Sequence, residues 1–190
     1  MKYKLEIEDD LFDFEGWAFL HFHTSMPGYA FADCLNRLYD YRLARVEDMT
    51  SLEGQWPVYR YEDTVSHQIF FLVERPAAVV DAPWEPGDKL LVVKGENAET
   101  VARHIYADFT SNAAVDEADL LAREHAALLE DLLAEFTVVN MLDFSAPVAS
   151  RKAAKERQLV QQHCDGILAY IEQKHLDLSE EERLRLERLG

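Results

Sequence analysis

The sequence predicts an α+β fold: a mainly antiparallel sheet of five to six strands with helices packed on it, plus a C-terminal helical hairpin. Three observations carry this. Strand-like runs follow one another between residues 41 and 94 with no helical period among them, which favours hairpin-linked strands over a doubly wound parallel sheet. The segments of helical period are few, and two of them close the chain. Apolar residues make up 48% of the chain, with 10 Phe, 8 Tyr and 3 Trp, enough to fill a core and to set the body apart from a disordered segment.

The elements follow in order. Lys2–Glu8 alternates, with Tyr3, Leu5 and Ile7 on one face and Lys4, Glu6 and Glu8 on the other, as in a half-buried edge strand. Trp17–Phe22 is a continuous apolar run and predicts a central strand. Ser25 or Thr24 can cap a helix over 27–40, where Phe31, Cys34, Leu35 and Leu38 recur at helical spacing. Tyr41–Glu47 is extended and Thr50–Gln55 is a turn. Trp56–Glu62 and His67–Arg75 read as a hairpin joined by Asp63–Ser66, and Lys89–Lys94 as a further strand after the proline-rich loop Pro76–Asp88. A helix beginning near Gly95 carries Val101, Ala102, Ile105 and Phe109. Asp116–Phe136 is a second helix, with acidic residues in its first turn that suit the positive end of the helix dipole. Thr137–Phe144 is a last strand. Ser150–His175 has the stripe Val160, Cys164, Ile167, Leu168 and Ile171, and Ser179-Glu-Glu-Glu182 is a capping box opening a short final helix. The predicted core includes Phe19, Leu35, Leu38, Phe70, Leu72, Leu91, Val93, Ile105 and Leu132.

The formal net charge is −17, and it lies wholly in residues 1–150, which hold 11 Lys/Arg against 28 Asp/Glu. Residues 151–190 hold 8 of each. The chain therefore reads as an acidic α+β domain over 1–147 and a charge-balanced helical extension over 150–190. A body so negative repels phosphate backbones and anionic lipid, so neither nucleic acid nor membrane is expected as a partner. No apolar run approaches a membrane span, and no leader is visible at the N-terminus, so a cytoplasmic location is expected. Cys34 and Cys164, on two separate helical stripes, are expected as reduced core thiols.

His21-Phe-His23 is the best chemical candidate. Residues two apart on a strand point the same way, so two imidazoles can face one Zn²⁺ or Fe²⁺, with His67 or a carboxylate completing the set. The plainer reading makes His21 a satisfied core histidine and leaves His23 in water at the strand end. The acidic stretch Glu6–Glu15 lacks the glycine and terminal Glu of a calcium loop and reads as a solvated edge. Leu90–Asn97 passes from strand through Gly95 to helix, but Glu96 and Glu99 stand where a phosphate would bind. No Gly-x-Ser-x-Gly elbow is present. The run Trp56-Pro-Val-Tyr-Arg-Tyr-Glu-Asp63 is rich in residues that interfaces prefer, with Tyr59 and Tyr61 on one face, although core packing accounts for it as well.

Several of these segments resemble a known family. Asp9-Asp-Leu-Phe-Asp-Phe14, the helix Tyr29-Ala-Phe-Ala-Asp-Cys-Leu-Asn-Arg-Leu38, Tyr59-Arg-Tyr-Glu-Asp63 leading into His67–Val73, and Asp88-Lys-Leu-Leu-Val-Val-Lys-Gly95 are similar to the bacterial IPExxxVDY family over about residues 1–110. Pro83-Trp-Glu-Pro-Gly-Asp88 keeps a proline and an aspartate of the naming motif and is one residue short of it. The family is uncharacterised, so the resemblance brings no active site.

Taken together, the residues predict a non-enzymatic cytosolic protein-binding or adaptor protein, with no catalytic, cofactor or metal residue. Trp56, Tyr59, Tyr61, Ile167, Leu168 and Ile171 are its candidate interaction residues. The C-terminal stripe needs a covering, either the chain's own body or another chain, and the partner expected is another protein or a second copy, reached through the C-terminal helices. Two alternatives stand beside it. One is an acidic inhibitor of a basic partner, such as an immunity protein or a nucleic-acid mimic. The other is a small metal-dependent enzyme using His21 and His23.

Overall fold

The computed structural model describes residues 15–51, 54–77, 83–110, 136–144 and 147–176. The expected strand at 2–8, the body of the helix expected over 116–136 with Leu132, and the helix after Ser179 lie outside them.

Strand β1 (Trp17–Thr24) leads into helix α1 (Gly28–Tyr39), then the short strands β2 (Ala44–Arg45), β3 (Met49–Ser51) and β4 (Gly54–Trp56). Strands β5 (Val58–Asp63), β6 (Gln68–Glu74) and β7 (Lys89–Lys94) follow, then α2 (Ala98–Thr110), β8 (Phe136–Met141) and α3 (Arg151–Ile171), which continues as a π-helical turn over Glu172–Leu176. Six strands form one sheet in the order β2-β5-β6-β7-β1-β8, and all its pairs are antiparallel. Strands β3 and β4 form a separate two-stranded hairpin. The chain is an α+β protein. Among the described residues no helix is long and apolar enough to cross a membrane.

The central strands are covered on both sides, so β6 and β7 are buried along nearly their whole length. Leu20, Phe22, Phe70, Leu72, Leu91 and Val93 face α1 and α2, packing with Phe31, Leu35, Leu38, Ile105 and Phe109. Phe19, Phe71, Leu90 and Val92 face α3, packing with Cys164, Ile167, Leu168 and Ile171. The helical extension thus shares a core with the sheet. Every described member of the predicted core is buried.

Four local expectations need correction. Helix α1 starts after Pro27 and has no side-chain cap from its own N-terminus. Thr24 Oγ1 instead accepts from the Met26 N–H, and Glu74 of β6 accepts from the Gly28 N–H. Extended structure over 41–47 contracts to two strand residues, because the Asn36 side chain accepts from the Leu43 N–H and donates to the Leu43 carbonyl. The region expected as a turn over 50–55 is the β3–β4 hairpin, and Trp56 belongs to it, separated from β5 by Pro57. Phe136, expected at a helix end, opens β8, which stops at Met141.

Candidate functional site

Strand β1 runs two residues beyond its expected end and carries His23 with it. His21 and His23 share the face of Phe19, toward α3. Phe22 pairs with Lys89, so the same register sets Asp88 across from His23 and diagonal to His21. A tight turn holds Asp88 there: its N–H donates to the Glu85 carbonyl, and the Glu85 N–H donates to Asp88 Oδ2. Gly87 takes φ of 86° in that turn, a conformation that favours glycine.

The result is one carboxylate between two imidazoles. His21 Nε2 lies 2.7 Å from Asp88 Oδ2, and His23 Nδ1 lies 2.7 Å from Asp88 Oδ1. The Asp88 side chain is 2% exposed, His21 14% and His23 39%. Burial raises the Asp88 carboxyl, but the hydrogen bonds from His21 and His23 outweigh it and hold the group below the usual carboxylate range. An ionised carboxylate only accepts, so each facing ring nitrogen must be the donor. His21 therefore carries a hydrogen on Nε2 and His23 one on Nδ1. Trp84 stacks on His21 at 5.9 Å between centroids, and His163 of α3 meets the Trp84 edge at the same separation.

This geometry holds both imidazoles on one carboxylate. The two nitrogens that face a common point both face Asp88. Among the described residues no group of three His, Cys, Asp or Glu side chains is placed to hold a metal ion. His67 sits at the β5–β6 hairpin, at the other end of the sheet, with φ of 55°. Nor is a thiol activated. Burial raises the Cys34 thiol, with the Asp33 charge adding to it, and burial raises that of Cys164.

The aromatic candidates divide. Trp56 and Tyr59 are core residues, on opposite faces of the sheet. Arg45 covers the Tyr59 ring, 5.3 Å from its centroid. Ile167, Leu168 and Ile171 are buried against the chain's own sheet, one of the two coverings expected for that stripe. Tyr61 is only half-buried. It stacks on Tyr41 at 5.4 Å, and Tyr41 packs on Phe70 at 4.4 Å and on Tyr39 at 5.3 Å. These rings come from the end of α1, the segment after it, and the two hairpin strands. Tyr39 and Tyr41 carried no sequence signal of function, since helical and strand periods meet between them.

No family model matches the chain, and no curated protein matches it.

Proposed function

We propose that this chain is a non-enzymatic, cytosolic protein-binding module that contacts its partner through the Tyr39–Tyr41–Tyr61 surface. The observation that carries the proposal is the half-buried aromatic ladder itself. Three tyrosines, packed on the core, stay partly exposed beside the sheet edge. Val65, at the tip of the β5–β6 hairpin that carries Tyr61, is 89% exposed. The resemblance to the IPExxxVDY family belongs to the same proposal, and it brings no activity that would compete with a binding role.

A photo-crosslinking amino acid placed at Tyr61 tests the reading in cells, with the same amino acid at Tyr29, which is 70% exposed on α1, as control. A discrete adduct from position 61 alone is the expected result. Equal adducts from both positions, or none, would sink it.

A further inference from the structure

This inference rests on the reading that the tyrosines form the binding surface, and it names the chemistry that seats there. We propose that the surface receives a lysine or arginine side chain from a basic segment of the partner. Tyr39, Tyr41, Tyr61 and Phe70 form one continuous set of ring contacts, between 4.4 and 5.8 Å from centroid to centroid. Aromatic faces attract cations, and tyrosine does so through the negative face of its ring. The chain already makes this contact within itself. Lys94 Nζ lies 4.8 Å from the Trp17 ring centroid, and Arg45 covers Tyr59.

Carboxylates surround the rings. The Tyr39 hydroxyl donates to Asp108 Oδ2 at 3.0 Å. Burial raises the Tyr41 hydroxyl most, and the nearby Tyr61, Asp63 and Asp108 raise it further. Burial, Asp63 and Asp40 raise that of Tyr61, while Arg42 opposes them. The phenols therefore stay neutral, and the negative field at the patch comes from Asp40, Asp63 and Asp108; Asp63 already accepts from the Val65 N–H and the Ser66 hydroxyl, and Asp108 from Tyr39. The sign agrees with the whole chain, whose net charge is −17. Arg42 is exposed at the rim and competes for the same field.

Titrating the full chain with a short Ser/Arg/Lys peptide, and with a neutral counterpart carrying citrulline and norleucine, tests the proposal by side-chain NMR of Tyr41 and Tyr61. The cationic peptide should move both resonances and bind about 5- to 10-fold tighter than the neutral one. Tyr61→Leu should abolish that preference, Asp40→Asn should weaken it, and Arg42→Ala should strengthen it. Asp40→Asn keeps a residue that tolerates the left-handed φ of 55° at that position, so it separates lost charge from lost fold. Equal binding of the two peptides would overturn the proposal. So would a preference that survives both Tyr61→Leu and Tyr41→Leu, which would place the peptide elsewhere on the acidic surface. Crosslinking from position 61 without peptide discrimination removes the charge inference alone. Absence of crosslinking removes the surface itself.

Discussion

Glu74 of β6 caps helix α1 from 46 residues away: its Oε2 accepts from the Gly28 N–H at 3.0 Å. The other oxygen, Oε1, meets Lys89 Nζ at 3.3 Å. Lys89 is almost wholly buried, and its amine also donates to the Gly87 carbonyl. Burial pulls the ammonium below the ordinary lysine range, against the pull of Glu74. The two partners are therefore not equivalent. Glu74→Leu strands a buried ammonium and should destabilise the fold by about 3–5 kcal/mol. Lys89→Met removes the buried charge and leaves a partly exposed carboxylate still capping α1, so it should cost about 1 kcal/mol or less. Urea unfolding of both variants checks the order, and a larger cost for Lys89→Met would refute it.

The same contact explains Gly28. A Cβ there would overlap Glu74 Oε2 and crowd the Tyr59 ring at 3.1 Å. Glu74 can swing aside only by giving up both of its bonds. Gly28→Ala should thus cost about 1–2 kcal/mol, although alanine is the better helix former. A variant as stable as the wild type would mean that the cap contributes nothing.

Asp88 ties stability to acid. Its carboxyl lies below the usual range in the folded chain, so folding favours the ionised form. That contribution is fully present above the unfolded value, about 3.9, and is lost as pH falls through the lower folded value. Asp88→Asn removes it at every pH and leaves one amide oxygen for two imidazole donors. The variant should lose about 2–4 kcal/mol at neutral pH, and the gap to the wild type should close below pH about 4. Parallel unfolding curves from pH 7 to pH 3, still separated at the acid end, would show that the carboxylate is not the group responsible.

Periodicity made the sheet and its helices legible. The β5–β6 hairpin, β7, α1 and α3 stand close to where apolar spacing puts them, because each buries a stripe that the sequence displays. What it concealed are contacts between polar groups far apart in the chain. Asp88 lies 65 residues from His23, and nothing local marks it except a glycine turn before a strand. In hindsight, antiparallel pairing of the runs at 17–22 and 89–94 would have brought the two together. The aromatic run misled for a different reason. Tyr59 points from β5 into the core under α1 and α2, and Trp56, on the separate β3–β4 hairpin, packs into the core on the α3 side, so both are buried.

Asn36 limits the sheet edge. Its amide satisfies both backbone groups of Leu43, at 2.8 and 3.0 Å, and so takes the place of a neighbouring strand. Leu43 is buried, so Asn36→Ala would leave a donor and an acceptor without a partner and should cost about 1–3 kcal/mol. Asn36→Asp keeps the acceptor but opposes the Leu43 carbonyl with a second oxygen, and should cost as much. Faster amide exchange at Leu43 in both variants is the direct readout. Unchanged protection would mean that water or the β5 edge replaces the amide.

The stripe of α3 decides whether the extension stays on the sheet. Cys164, Ile167, Leu168 and Ile171 are each at most 2% exposed. The Tyr170 hydroxyl adds one hydrogen bond, to the Asp48 carbonyl at 2.8 Å. Burying an aliphatic side chain of this size contributes about 1.5–3 kcal/mol. The Lys152–Glu156 pair on the solvent face is worth about 0–1 kcal/mol. Apolar contact therefore outweighs charge, even though this extension is the balanced part of an acidic chain. Ile167→Asp with Ile171→Asp places two carboxylates in the apolar cluster that holds Phe71 and Val92. The double variant should release α3 or unfold the chain, lowering the melting temperature and enlarging the particle in gel filtration. Raising the salt concentration on the wild type should do neither. Leu159→Asp is the control, because Leu159 is 42% exposed on the outer face of the same helix and should melt with the wild type. If the double variant keeps the wild-type melting temperature and compactness, the stripe does not hold the helix to the sheet.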